Sequence, residues 1–579
     1  MTEPSAADWK ALCAARKRHQ SDAIPPAWNI QPPPDDHRNV LDVPVASGLL
    51  TARELGITDT IDLEIILRNL AAAKWSSVEV TTAFYKRAII AHQLTNCLTE
   101  IFIDRALDRA RQVDEYLHLH GKPIGPLHGL PISLKDQFCI KGLETIMGYA
   151  GWIGRVAESD SVLVHVLYQA GAVPFVRTNV PQTLQWGETY NHVFGRTTNP
   201  YNRYMTSGGS SGGEGALVAL RGSPLGVGTD IGGSVRIPSA FCGLYGLRPS
   251  YERLPYCNAV NSQEGQESIS SVLGPMANTL GALRVFTQAV LAAEPWRHDP
   301  LCVRKPWSAC EYDLADHGGR GARLCFALMP DNGVVKPHPP LARALATVKA
   351  ALEAAGHTVI DWENHRHLEI YKNGVSIFNA DDGVDYRTEC ARSGEPLIQT
   401  MSPSTDAHEY ALDAPMARSI LGENIRHLSA YELWQLHKEK RTLRKSHLDH
   451  WEATASRTST GRPVDAIVSP VAPYTAVPHG CNSDDFYTAL WNYLDCTALV
   501  FPVPSVVCDP ALDPRAPPHE FWNAEDAAVH ALYDPELFAG LPVGLQLVGR
   551  TLEEEGVLAM ARVVVDALEA RRNARTEGA

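Results

Sequence analysis

The spacing of apolar positions along this chain switches between a helical and a strand period, and the switches mark its elements. A helical spacing around Trp9–Gln20 stands in a polar, proline-bearing stretch that continues as "IPPAWNIQPPPDD". From Asp62 to Tyr116 the helical period dominates. Ser76 with Glu79 fits a capping box there, ahead of "VEVTTAFYKRAIIAHQL". "LPISL", Leu130–Leu134, is a short apolar run and predicts a strand. "SDSVLVHVLYQAG" predicts a helix closed by Gly171, with a strand after it in "AVPFVRTN". Residues 380–460 read as polar and helical, "VDAIVSPVA" and "GLPVGLQLVG" as strands, and "TLEEEGVLAMARVVVDALEA" as a closing helix. Alternating helices and short apolar strands argue for an α/β fold.

The 579 residues allow two to four average domains. The absence of an internal repeat or clear linker favours one large domain instead. A helical and Pro-rich arm is expected over 1–60, the main domain over 61–570, and a frayed tail over 571–579. Hydrophobic residues make up 45% and charged residues 20%, as in ordinary globular proteins. The net charge is −14 and no Lys/Arg run forms a basic patch, so nucleic acid is not an expected partner. No apolar run is long enough to span a membrane, and the first thirty residues carry no secretory signal pattern. Twelve scattered cysteines without a CxxC pair read as reduced thiols, which points to the cytoplasm.

Residues 206–234, "TSGGSSGGEGALVALRGSPLGVGTDIGGS", hold ten glycines in 29 residues and read as loop, helix, strand, loop. "GVGTDIGG" is no phosphate loop, because Ile231 stands where GxGxxG needs glycine. "GSSGG" matches GxSxG with Ser211 as nucleophile, but the preceding "NPYNRYMTS" lacks the strand that an esterase elbow requires. His365 and His367 read as a solvated loop, and Cys242 as a structural thiol. Two glycines before Ser234 can let consecutive N–H groups converge on one small space, as an oxyanion hole requires. The competing reading makes Ser234 the N-cap of a tight turn. Lys135 directly follows the apolar "LPISL". Burial there would lower its pKa and make it a base, whereas at the surface it would pair with Asp136.

Together "GLPISLKDQF", "TNVPQ", "GGSSGGEGAL" and "GTDIGGSVRIPSAFCGLYGLRPS", with 24 positions between Ser210 and Ser234, resemble the amidase signature family of serine hydrolases. "RLPYCNAVNSQEGQESISSVLGPM" and "GLPVGLQLVGR" are similar to its acetamidase-type members, with fatty-acid amide hydrolase as a cousin. The resemblance spans roughly residues 60–570. It implies one α/β domain with a large mixed sheet covered by helices. It also implies a Ser–cisSer–Lys triad with Ser234 as acyl-forming nucleophile, Ser210 as bridge after a cis peptide bond, and Lys135 as base. Its oxyanion donors fall on the backbone of Ile231, Gly232, Gly233 and Ser234, and a substrate-facing position falls on Leu184. Asp230, Arg236 and Ser211 read as supports of the loop. "MTSGG" departs from the proline that many members carry before the double glycine.

The function this implies is cleavage of a linear carboxamide to a carboxylate and ammonia through an acyl-serine, with no metal or organic cofactor and a small amide as partner. Two alternatives stand beside it. One is a non-catalytic or partner-dependent subunit of transamidase type; the other is an esterase using Ser211. Base rate alone admits a homodimer. The acyl pocket is expected to draw on the 184–200 loop and the 380–500 region.

Overall fold

The computed structural model describes residues 8–402 and 426–577. Thirteen strands occur there. In chain order they are β1 Leu98–Ile101, β2 Pro131–Lys135, β3 Val173–Thr178, β4 Thr198–Asn199, β5 Asn202–Thr206, β6 Gly226–Asp230, β7 Tyr245–Arg248, β8 Val272–Ala277, β9 Cys325–Leu328, β10 Thr358–Asp361, β11 Ala466–Pro470, β12 Ala498–Val507 and β13 Pro542–Val548. Eleven form one mixed sheet in the order β1-β3-β2-β6-β8-β7-β12-β13-β11-β9-β10, and β4 pairs with β5 apart from it. The fold is thus α/β, with a large mixed sheet flanked by helices.

Strand β2 lies between β3 and β6 and runs parallel to both, with Ser133 opposite Gly226 and Leu134 opposite Val227. The carboxyl ends of β2 and β6 therefore open on the same edge of the sheet, where open α/β sheets place their sites. Every residue of β2, β3, β6 and β8 is buried, so these strands are covered on both faces. The Gly212–Ala219 helix touches all four, and the Ser77–Thr95 helix packs on it and on β2 and β3. Ser76 caps this second helix by accepting from Glu79 N–H, and Asn96 closes it in the left-handed region.

Several elements differ from their sequence reading. "NRYMT" does form a strand, β5, just ahead of "GSSGG", but it belongs to the small hairpin and not to the central sheet. An esterase elbow needs a strand of the central sheet. The closing helix runs Glu554–Glu577 and so takes in residues 571–577 of the expected tail. The N-terminal helix, Asp8–Asp22, is docked. Trp9, Cys13, Arg16 and Gln20 are buried, and Gln20 donates to the carbonyls of Leu98 and Thr99 on β1. Helices Val384–Ala391 and Ala430–Ala453 fit the helical reading of 380–460, of which 403–425 lies outside the described residues.

Candidate active site

Lys135 ends β2 and is wholly buried. Its Nζ lies 2.7 Å from Ser210 Oγ and 2.7 Å from Thr229 Oγ1. Burial holds its pKa well below the usual lysine value, against the opposing charges of Asp230 and Glu214. It makes no surface pair with Asp136, whose carboxylate instead lies 3.5 Å from Arg177. A chain of fixed donors orients the amine. Gln137 Nε2 donates to Val260 O at 2.7 Å, which turns its Oε1 toward Thr229. Thr229 donates to that oxygen at 2.5 Å, so its own oxygen is left to accept from Lys135. A neutral amine has two N–H groups and one lone pair. With one N–H committed to Thr229, a neutral Lys135 can meet Ser210 either by its second N–H or by its lone pair, while the ammonium donates to both oxygens.

Ser210 follows a cis peptide bond at Gly209–Ser210. Ser211 then leads into the buried Gly212–Ala219 helix. The Ser211 hydroxyl is fully buried and bonds the Thr229 backbone, donating to its O and accepting from its N–H, both at 3.3 Å. It supports the loop and presents no free face to an ester.

Ser234 lies on the turn after β6 and is 8% exposed, against 2% for Ser210. It is not a cap: Val235 precedes the Arg236–Phe241 helix, with no side-chain capping bond. Among the described residues its hydroxyl has no hydrogen-bond partner, while its carbonyl accepts from Ser211 N–H at 3.2 Å. The turn is shaped by Asp230. That carboxylate accepts from the backbone N–H of Gly233 (2.9 Å), Val235 (3.2 Å) and Arg236 (3.4 Å). It also accepts from Arg236 Nε and Nη2 (both 3.0 Å) and from Asn492 Nδ2 (2.9 Å). Burial alone would push this acid up; Arg236 and Asn492 outweigh it and hold it at about 2. Arg236 further donates to Thr488 O, Gln546 Oε1 and Asn492 Oδ1, which fixes the turn to the far half of the sheet.

The four amides that the resemblance assigns to the oxyanion differ in state. Gly233 N–H is held by Asp230, whereas those of Ile231, Gly232 and Ser234 have no acceptor among the described residues. The two glycines also differ in need. Gly233 has φ +140°, and a Cβ there would run into the Thr488 side chain. A Cβ on Gly232 would meet nothing within 4 Å. Leu184 is buried beside Met147, Tyr149 and Trp152, and with Thr183 it has positive φ (+65° and +70°).

The structure thus brings Lys135, Ser210, Ser211, Thr229, Asp230, Ser234 and Arg236 together on one sheet edge. Thr229 and Gln137 escaped the sequence reading. The β2–β6 pairing that sets Thr229 beside Lys135 is their signal, and it is invisible without the fold. Cys242 is buried, and burial pushes its thiol up. His367 is not solvated; it is buried against His447 and Trp491, while His365 bonds Ser446. Among the described residues no group of three or more His, Cys, Asp or Glu could hold a metal ion.

A buried lysine joined to a serine, beside a second serine whose hydroxyl is unbonded among the described residues and which is flanked by open amides, is a geometry for acyl transfer. Known proteins place it further. The sequence model described as Amidase matches residues 79–558. An acetamidase of Emericella nidulans is 42% identical over 556 residues, covering 96% of this chain and 97% of that protein. An acetamidase of Aspergillus oryzae is 42% identical over 558 residues, covering 96% and 98%. A solved fatty acid amide hydrolase superposes with TM-score 0.87 at 33% identity, covering 98% of this chain and 97% of that one. The protein belongs to the amidase family. It is a hydrolase acting on amide C–N bonds.

Proposed function

We propose that the protein hydrolyses a small linear carboxamide to carboxylate and ammonia through an acyl ester on Ser234, as an acetamidase-like enzyme. The observation that carries this reading is the buried Lys135 amine, 2.7 Å from Ser210 Oγ and 2.7 Å from Thr229 Oγ1. Ser234 Oγ attacks the amide carbon as its proton passes to Ser210 Oγ, and the Ser210 proton passes to Lys135 Nζ. The oxygen that becomes negative is taken by the open N–H groups of Ile231, Gly232 and Ser234. Gly233 serves by conformation, its own N–H being held by Asp230. The proton returns through Ser210 to the leaving nitrogen, and ammonia departs. Water then attacks the ester with the same base. Asp230, Arg236 and Ser211 hold the turn, and Leu184 belongs to the wall that faces substrate.

The shortness of the acyl group rests on the two acetamidases, each matched over almost the whole chain. Cys257 and Cys310 are exposed and the other ten thiols are not; all twelve are free, which supports a reducing compartment such as the cytoplasm. Among the described residues no helix is long and apolar enough to cross a membrane. The test is ammonia release from acetamide, longer aliphatic amides, benzamide and oleamide. Wild type should prefer the short amides. Ser234→Ala should lose about three orders of magnitude or more in kcat. Turnover by Ser234→Ala near the wild-type rate would refute the reading.

A further inference from the structure

Glu214 lies in the Gly212–Ala219 helix, four residues after Ser210, and is fully buried. Its carboxyl reaches the two strands that frame the lysine. Ser133, two residues before Lys135 on β2, donates to Oε2 at 2.6 Å. Thr178, the register partner of Lys135 on β3, donates to Oε1 at 2.9 Å. On the third side is β6, where a Cβ on Gly226 would collide with Glu214 Oε2, the oxygen that accepts from Ser133. One acid therefore joins the helix that follows the Ser210 loop to the strand that carries Lys135, in a space that glycine keeps open.

We propose that Glu214 is a positioning residue that sets the protonation of Lys135 by sharing one proton with it across this buried cluster. The inference rests on the base role given to Lys135 above. When the carboxyl holds the shared proton, the amine is neutral and can accept from Ser210. When the amine holds it, the carboxyl is a carboxylate bound by Ser133 and Thr178, and Lys135 is an idle ammonium. No proton is gained or lost between the two forms.

The electrostatics agree with the geometry. Burial raises the Glu214 acid to about 8, opposed by Ser133, Thr178 and Lys135. Burial lowers Lys135 and the charge of Glu214 opposes that fall, so the charge of each group acts on the other. The other groups facing them are few. The Cys97 thiol faces Glu214 and is raised to about 12 by burial, so it stays neutral; Asp230 acts on Lys135 from the end of β6.

The sign of the effect is fixed. A carboxylate near Lys135 favours the ammonium, so removing the ionisable group lowers the pH at which the amine becomes free. The probe is the rate of fluorophosphonate labelling from pH 5 to 10, with the labelled peptide identified by mass. In wild type the label should fall on Ser234 and its rate should rise with pH through one limb. Glu214→Gln keeps the shape and removes the acid, and its limb should move down by about one pH unit. Thr178→Val removes one donor from the carboxylate while keeping the side chain's shape, and its limb should move the same way by less. A Glu214 that only packs would leave the limb in place. Unmoved limbs in Thr178→Val and in folded Glu214→Gln, with Ser234 still labelled, overturn the inference alone. A label absent from Ser234 in wild type overturns the proposed function, and this inference with it.

Discussion

Asp230 offers the sharpest test of how the nucleophile turn is held. All six of its partners are donors: three backbone amides, two guanidinium N–H groups and the Asn492 amide. Asp230→Asn keeps the volume but must turn an NH2 toward donors. It also leaves Arg236, wholly buried, without its counter-ion. Breaking a buried pair by removing one partner costs about 3–5 kcal/mol. That range is the expected loss, read by urea unfolding with the fluorescence of the twelve tryptophans. Arg236→Met should cost a similar amount. The double variant should cost less than the sum by at least about 2 kcal/mol, because neither charge is left alone. Activity should not recover with it, since the Gly233, Val235 and Arg236 amides still lack their carboxylate. An Asp230→Asn protein within about 1 kcal/mol of wild type, with undiminished ammonia release, would refute the reasoning.

Other consequences are as direct. Burial holds His92, His367 and His479 down to about 3 and His338 to about 4. Unfolded histidines take up protons near 6.5, so stability should fall as pH drops from there toward the folded values. The loss is about 2 kcal/mol per histidine at pH 5, and an unfolding midpoint unchanged between pH 7 and 5 would contradict it. Gly233→Ala should lose about 1–3 kcal/mol and most activity, because its φ is +140° and Thr488 fills the space. Gly232→Ala should keep wild-type stability and alter KM; equal melting losses in the two would count against the assignment. Iodoacetamide should alkylate the exposed Cys257 and Cys310 without loss of turnover. Inactivation in step with alkylation of Cys242 would give that thiol a role it lacks here.

What the sequence discloses and what it hides divide along chain distance. The β2 run, the Gly171-closed helix and the loop–helix–strand–loop order of 206–234 depend on local period and punctuation, and all are legible in the residues themselves. The partners of charged side chains are not. Asp136 neighbours Lys135 in sequence yet pairs with Arg177, and Arg236 finds Thr488, Asn492 and Gln546 more than 250 positions away. Local spacing also treats the two glycines before Ser234 as equivalent, whereas the fold presses a neighbour against only one. The direction of each N–H is likewise a property of the folded turn. That is why Gly233, assigned to the oxyanion by resemblance, is found bound to Asp230.

The central claim is that the acyl group rides on Ser234. Acid quenching during turnover of a short amide, followed by peptide mass analysis, tests it most directly. The account predicts an acylated peptide modified at Ser234, absent from Ser234→Ala. An acyl group on Ser211, or steady turnover by Ser234→Ala without any acylated serine, would contradict it.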